Sequence, residues 1–513
     1  MSRKTRIVVI VLFLIAFLGY RYYSAHKKDA PAGKAAVAAH DAAPRMLGSL
    51  AFKPCTLASQ FGAGSIEAQC GALSVAENPA LPAGRKIALN IAWIPADDKG
   101  EHAPDPVFLL AGGPGQAATE SYPAVAPAFA EALKKRDVIL VDQRGTGGSH
   151  PLACKSDGEQ DESADDAASL RIAREEAEKC RDRLAKDADL RFYTTTDAVR
   201  DLDAVRKAIG AAQINLIGIS YGTRVAQQYA MRYPAHTRTI TLDSVAPNAI
   251  YLGNDFARNL ENALALQFGR CAKIPSCAKA LGDPRQRLDA LMAKLKAEPP
   301  TVTYRDANTG EQKQERLLPA HVAGLARMYA YAPAAAALLP LQINEASQGR
   351  YEGLMALSKL LTSGLAEQMA YGMQLSVICT EDVDGVRGDP SMSTSLLGNA
   401  LVDILIAQCA VWPKGARPAD FHQPLTTPVP ALLISGELDP VTPPSYADSV
   451  VKTLRKGRAL TLRGQGHNVI GAGCMPKLFA QFLETADAKA LDAKCLDKLA
   501  YTPPFTDFNG WDP

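Results

Sequence analysis

The sequence predicts an α/β fold: a mostly parallel sheet with helices on both faces, interrupted late in the chain by a block of helices. Three observations carry this. Short apolar runs recur, and several end in Gly-rich or polar turns. Stretches with helical spacing separate them. Between about Ala246 and Leu425 strand signals become scarce and helices follow one another. Continuous apolar runs of about four to eight residues are the pattern of strands buried on both faces. Alternation with helices makes their connections crossovers and their pairing parallel.

The strand runs, in order, are Ile87 to Ile94, Val107 to Leu110, Val138 to Val141, Ile214 to Ile217, Thr239 to Leu242, Ala431 to Ile434 and Ala459 to Leu462. The helical block reads as Asn259 to Lys273, Arg285 to Glu298, His321 to Tyr331, Ala334 to Ser347 and Tyr351 to Leu361, with Pro or Gly near most ends. The expected organisation is a signal or anchor segment over residues 1–23, a flexible tether over 24–46 and the first part of the sheet domain over 47–246. A helical cap over 247–425 follows, then the second part of the sheet domain over 426–513.

Composition agrees with a large enzyme-sized body. The chain has 513 residues, 47% of them apolar, and its 56 basic against 54 acidic side chains leave a net charge of +2. No clustered basic excess appears in the body, which argues against nucleic-acid binding. Nothing in the sequence fixes an oligomeric state.

The N-terminus places Arg3, Lys4 and Arg6 before an unbroken apolar run from Ile7 to Tyr20, followed by Arg21, Tyr22 and Tyr23. That is the layout of an export signal. No small-x-small cleavage site follows the run directly, so an uncleaved anchor over residues 7–23 is expected, with the body periplasmic or extracellular and the membrane touched only there. The 10 cysteines are dispersed and none forms a C-x-x-C pair, which suits structural disulfides outside the cytosol. The simplest pairing joins neighbours in order, 55–70, 154–180, 271–277, 379–409 and 474–495. Spacing alone leaves other connectivities open.

The chemistry sits at the strand ends. Gly218-Ile219-Ser220-Tyr221-Gly222 is a G-x-S-x-G motif between a predicted strand and a helix expected over Thr223 to Tyr233. That context lifts a serine nucleophile above the sheet edge. A serine needs a base to take its proton, and sheets carrying this motif order the partners Ser, acid, His. His467, in a loop after the last strand, is the one histidine beyond all the late acids. Asp439, in the loop after Ala431 to Ile434, is the expected acid, with Glu437 and Asp243 as rivals. The oxyanion donors are expected to be the backbone N–H of Tyr221 and that of Gly113, with Gly112 next, in the loop Ala111 to Gln116.

Further motifs accompany these. They are Gly112-Gly113-Pro114-Gly115, Asp142-Gln143-Arg144-Gly145-Thr146-Gly147-Gly148-Ser149, Ser220-Tyr221-Gly222-Thr223, Leu242-Asp243 and Ser376-Val377-Ile378-Cys379-Thr380-Glu381-Asp382. Gly436 to Pro443 and Gly466-His467, with Cys474 downstream, complete the set. Together they resemble the secreted branch of the prolyl aminopeptidase and tripeptidyl aminopeptidase family of α/β-hydrolases, over most of the chain after about residue 50. The closing section looks like that family's C-terminal region. The resemblance implies an α/β-hydrolase fold, a serine aminopeptidase, and peptide substrates with a free N-terminus. It implies no metal and no organic cofactor. An exopeptidase of this kind needs a carboxylate for the substrate ammonium, and Glu381 and Asp382 are the candidates. The glutamate-containing cap motifs of the cytosolic prolyl aminopeptidases are absent, so proline specificity does not follow. Arg144 is expected to brace the site, and Thr442 to line the pocket or to hold the acid loop. Two rival readings use the same chain: an esterase or lipase acting on small esters, and a catalytically silent binding protein.

Overall fold

A computed structural model describes residues 43–58, 64–97, 102–154 and 166–510. The chain runs β1 Arg45–Leu47, β2 Leu50–Ala58, β3 Ser65–Ala76, β4 Lys86–Ile94, β5 Val107–Leu110, α1 Ala118–Val125, β6 Val138–Val141, α2 Asp166–Leu184, α3 Thr195–Ala208, β7 Ile214–Ile219, α4 Tyr221–Arg232 and β8 Thr237–Asp243. There follow α5 Phe256–Lys273, α6 Pro275–Leu281, α7 Pro284–Ala297, the hairpin β9 Thr301–Arg305 and β10 Gln312–Arg316, α8 Pro319–Ala330, α9 Pro333–Ala336, α10 Leu339–Ser347, α11 Glu352–Gln368, α12 Tyr371–Glu381 and α13 Ala400–Cys409. The sheet resumes with β11 Ala431–Gly436, then α14 Pro444–Val451, β12 Gly457–Leu462 and α15 Met475–Thr485.

The main sheet has 10 strands in the order β1-β2-β3-β4-β6-β5-β7-β8-β11-β12. From β6 to β12 every neighbouring pair is parallel, while β2, β3, β4 and β6 pair antiparallel. Two apolar layers show why the central runs lack polar alternation. Phe108, Leu110, Ile139, Val141, Leu216 and Leu433 pack into one layer. Their strand neighbours Val107, Leu109, Val138, Leu140, Ile217 and Leu432 pack into the other. Successive side chains point to opposite faces, so β5 and β6, covered on both sides, are apolar at every position.

The order of β11 and β12 beside β8 means that everything from α5 to α13 is inserted between two neighbouring strands. This insertion has its own core, which includes Leu260, Leu264, Phe268, Leu288, Leu291, Leu325 and Ile343. It nevertheless belongs to one compact unit, Met46–Pro513.

Several expectations needed correction. The strands β1 to β3 escaped notice, and β1 begins at Arg45, inside the expected tether. Pro54 lies inside β2 and breaks a strand-like reading of the sequence there, and β3 reads Ser-Ile-Glu-Ala-Gln-Cys-Gly, with polar or small residues at most positions. The helix expected over Ala334 to Ser347 is broken into α9 and α10. Pro340 sits in the first turn of α10, where its missing N–H costs nothing, and it cannot continue a preceding helix. The hairpin β9–β10 was also missed. Val302 and Tyr304 face the insertion's core, but β10 is polar throughout.

All ten cysteines are paired, in the neighbour-by-neighbour order expected: Cys55–Cys70, Cys154–Cys180, Cys271–Cys277, Cys379–Cys409 and Cys474–Cys495. The apolar run Ile7 to Tyr20, expected to anchor the chain, lies outside the described residues. Among the described residues no helix is long and apolar enough to cross a membrane.

Candidate active site

β7 is buried along its whole length and delivers the chain to Ser220 at the edge of the sheet. Ser220 has φ +56° and ψ −122°, a conformation costly for a residue with a Cβ, and the next residue begins α4. The turn is tight enough to need glycine on both sides. A Cβ on Gly218 would overlap the Gly222 carbonyl, and one on Gly222 would overlap the carbonyl of Leu110 in β5. Two bonds fix the strained residue. Its N–H donates to the Asp243 carbonyl at 2.9 Å, and its own carbonyl accepts the Thr223 hydroxyl at 2.5 Å. Thr223, in turn, accepts the Ala246 N–H.

Asp439 and His467 meet directly: the imidazole Nδ1 lies 2.8 Å from Asp439 Oδ2. The carboxylate is held on all sides. Oδ1 accepts the N–H groups of Val441 and Thr442, and Oδ2 also accepts the Thr442 hydroxyl at 2.8 Å. Thr442 therefore holds the acid loop. Burial works against the Asp439 charge, but the facing imidazole and the two N–H donors outweigh it and leave the carboxyl below its ordinary range. Burial likewise pulls His467 down, and the Asp439 charge and hydrogen bond more than reverse this, so the imidazole sits above its usual value. Its Nε2 has no protein partner among the described residues.

Asp243 ties Ser220 to the loop that carries His467. Its carbonyl takes the Ser220 N–H, and its carboxylate takes the N–H groups of Val469 and Ile470, just past His467. Beside it the Ser244 hydroxyl takes the Asn468 N–H. Burial pushes the Asp243 carboxyl up to about 6, against the pull of those N–H groups and of His467. Asp243 thus braces the His467 loop, and its hydrogen bonds go to that loop's backbone and not to the imidazole ring. The other rival, Glu437, is occupied by the Gly464 N–H and the Tyr501 hydroxyl.

The Gly-rich loop lies against the nucleophile: a Cβ on Gly112 would stand 3.2 Å from the Ser220 Cβ. Gly113 has φ +109° and is joined to Pro114 by a cis peptide. Tyr221 is the first residue of α4, so its N–H has no acceptor within the helix and carries the positive end of the helix dipole. The insertion meets this site at the end of α8. The Tyr331 carbonyl accepts the His467 N–H at 2.8 Å, and the Tyr331 ring stands edge-on to the imidazole at 5.0 Å. Arg144 braces, as expected: it forks onto Asp201 and bonds the carbonyls of Glu77 and Phe192.

The expected ammonium anchors are not free to bind substrate. Asp382 and Arg224 have side chains 0% exposed, and Arg224 Nη1 lies 3.0 and 2.9 Å from the two Asp382 oxygens. Glu381 is 1% exposed, with one oxygen on the Thr195 N–H at 2.6 Å and the other on the Thr195 hydroxyl at 2.8 Å. Both carboxylates are filled by protein. Asp382→Asn should therefore lower stability by about 3–5 kcal/mol, since it leaves a buried guanidinium uncompensated. Denaturant unfolding measures this, and a loss under about 1 kcal/mol would show that Arg224 does not depend on the pair. Sequence reading also missed Thr195 and Arg224, which lack any motif beyond their place near the nucleophile. Among the described residues no cluster of three metal-ligating side chains is placed to hold an ion.

A parallel sheet with a strained serine at a strand-to-helix turn, and an Asp–His pair in the loops after the strands two and three places away, is the frame of the alpha/beta hydrolase fold. Residues 105–471 match the family model for that fold, and the chain belongs to this family. It is similar to the serine protease Hip1 of Mycobacterium tuberculosis, at 26% identity over 468 residues covering 83% of this chain and 87% of that one. It is equally similar to a tripeptidyl aminopeptidase of Streptomyces coelicolor, at 26% identity over 83% of both chains. Carboxylesterase B of Mycobacterium tuberculosis is 30% identical over a shorter stretch, 47% of this chain and 51% of that one.

Proposed function

We propose that the protein is an exported serine hydrolase that cleaves amino acids or short peptides from the free N-terminus of peptides through an acyl-enzyme. The observation that carries the reading is the Asp439–His467 pair, locked by Thr442 and tied through Asp243 to the strained Ser220. As substrate binds, Ser220 Oγ comes within reach of His467 Nε2, a bond that free enzymes often complete only in the substrate complex. Nε2 takes the hydroxyl proton as Oγ bonds to the scissile carbonyl carbon. The oxyanion is met by the N–H groups of Tyr221 and Gly113. The same proton then passes to the leaving amine as the C–N bond breaks. Water, deprotonated by His467, releases the acyl product.

Peptides are favoured as substrates because the two relatives aligned over most of the chain are named for peptide cleavage. Action at a chain end is supported by the insertion. It packs against the His467 loop through Tyr331, and cover on that side of the imidazole would suit a terminus better than a chain interior. The five disulfides support export. The esterase reading draws on the partial likeness to carboxylesterase B.

Rates on tripeptidyl and aminoacyl amides with free or acetylated amines, beside acyl esters of similar size, decide between them. Free amines should be preferred about 10- to 100-fold, the worth of one charge-assisted hydrogen bond. Equal rates on free and blocked amines, with esters turned over faster than any amide, would overturn the aminopeptidase assignment.

A further inference from the structure

Glu381 is a buried carboxyl group with no part in the steps above, yet it stands at the end of a hydrogen-bond chain that leads to the nucleophile helix. Thr195, the first residue of α3, gives Glu381 both its N–H and its hydroxyl. The Thr195 hydroxyl is also 2.6 Å from the Tyr221 hydroxyl, which accepts Gln143 Nε2 at 3.2 Å. Tyr221 follows Ser220 directly and supplies the proposed oxyanion donor. One turn further along α4, Arg224 is paired with Asp382. Tyr221 and Arg224 are three apart and share a helix face, so two successive carboxylates at the end of α12 grip the first turn of α4 side by side.

We propose that Glu381, acting through Thr195 and the Tyr221 hydroxyl, is a positioning residue for the oxyanion donor, and that a negative charge on Glu381 opposes the charge that develops there. The inference rests on the nucleophile and oxyanion assignments above. The proton count defines two forms of the chain. With Glu381 ionised, Gln143 donates to Tyr221, Tyr221 to Thr195 and Thr195 to the carboxylate. With Glu381 protonated its O–H donates to the Thr195 hydroxyl, Thr195 to Tyr221 and Tyr221 to the Gln143 amide oxygen, while the Thr195 N–H stays on the other Glu381 oxygen. Glu381 is faced by Thr195 and Tyr221 and lies next to Asp382. Arg224 comes from α4, and Arg417 and His422 bond its carbonyl from the segment before β11. Burial, then the Asp382 charge, pushes the Glu381 carboxyl up to about 8, against Thr195 and Arg224. The neutral form therefore prevails at pH 7, and the opposing charge appears as the pH rises through about 8.

The test compares Glu381→Ala, Glu381→Gln, Thr195→Val and Tyr221→Phe with the wild type, in kcat, KM and their pH profiles. Glu381→Ala, Thr195→Val and Tyr221→Phe each cut the chain and should lower kcat about tenfold with little change in KM. Glu381→Gln keeps a neutral group that can donate, so it should restore most of that loss. It should also abolish the roughly tenfold fall in kcat above pH 8 expected of the wild type. Melting curves and labelling of Ser220 by a fluorophosphonate identify variants that are folded and armed. An alkaline fall that persists in Glu381→Gln, or wild-type kcat in both Thr195→Val and Tyr221→Phe, would overturn the inference. Failure of the wild type to label at Ser220 would instead overturn the nucleophile assignment beneath it.

Discussion

Ser220→Ala is expected to give a protein that folds and melts as the wild type does but turns over peptides roughly 10^4- to 10^6-fold more slowly. The fold should survive because the turn is held by backbone groups. The Ser220 N–H goes to the Asp243 carbonyl, and its own carbonyl accepts from Thr223. Alanine keeps both and loses only Oγ. The residual rate comes from the oxyanion donors and from binding, which the substitution leaves in place. Single-turnover kinetics with a chromogenic amide, beside fluorophosphonate labelling, reads the effect. A loss smaller than about tenfold would remove Ser220 from the role of nucleophile.

Asp439→Asn should cost about 10^4-fold in kcat, for a reason set by its hydrogen bonds. Oδ1 accepts two backbone N–H groups, so in the variant the amide oxygen must occupy that position. The amide nitrogen then faces His467 Nδ1, where Oδ2 stood. Nδ1 is forced to accept, the ring proton moves to Nε2, and the base meets Ser220 already loaded. The pH profile should shift as well. The raised imidazole owes its position to the Asp439 charge prevailing over burial. Without that charge the acid limb of kcat/KM moves to lower pH, while the plateau collapses. A plateau within tenfold of the wild type would mean that another group orients the ring.

What could be read from the sequence follows from where the information is local. Ser220 and Asp439 each lie in a short motif just after a fully buried strand, His467 lies in one after the half-buried edge strand β12, and the order of the motifs along the chain supplied the rest. The neighbour pairing of the cysteines was visible for the same reason. Glu381 and Asp382 were expected to face a substrate ammonium, whereas the structure shows both bonded to protein. Their partners lie 186 and 158 residues away, in Thr195 and Arg224, and nothing in the acidic pair itself records them. The early strands were hidden by a related cause. Exposed positions alternate along β2, and β3 is mostly exposed or half-buried, so neither carries the unbroken apolar run that marks β5 to β7.

His467 is held from two directions. Its ring belongs to the sheet through Asp439, but its backbone amide is fastened to the carbonyl at the close of α8, and Gly466 is packed against that carbonyl so tightly that no side chain fits between them. If α8 swung outward to admit a peptide, it would draw on the loop that seats the imidazole. Opening on that side and a seated imidazole would then work against each other, so the coupling favours turnover with α8 at rest.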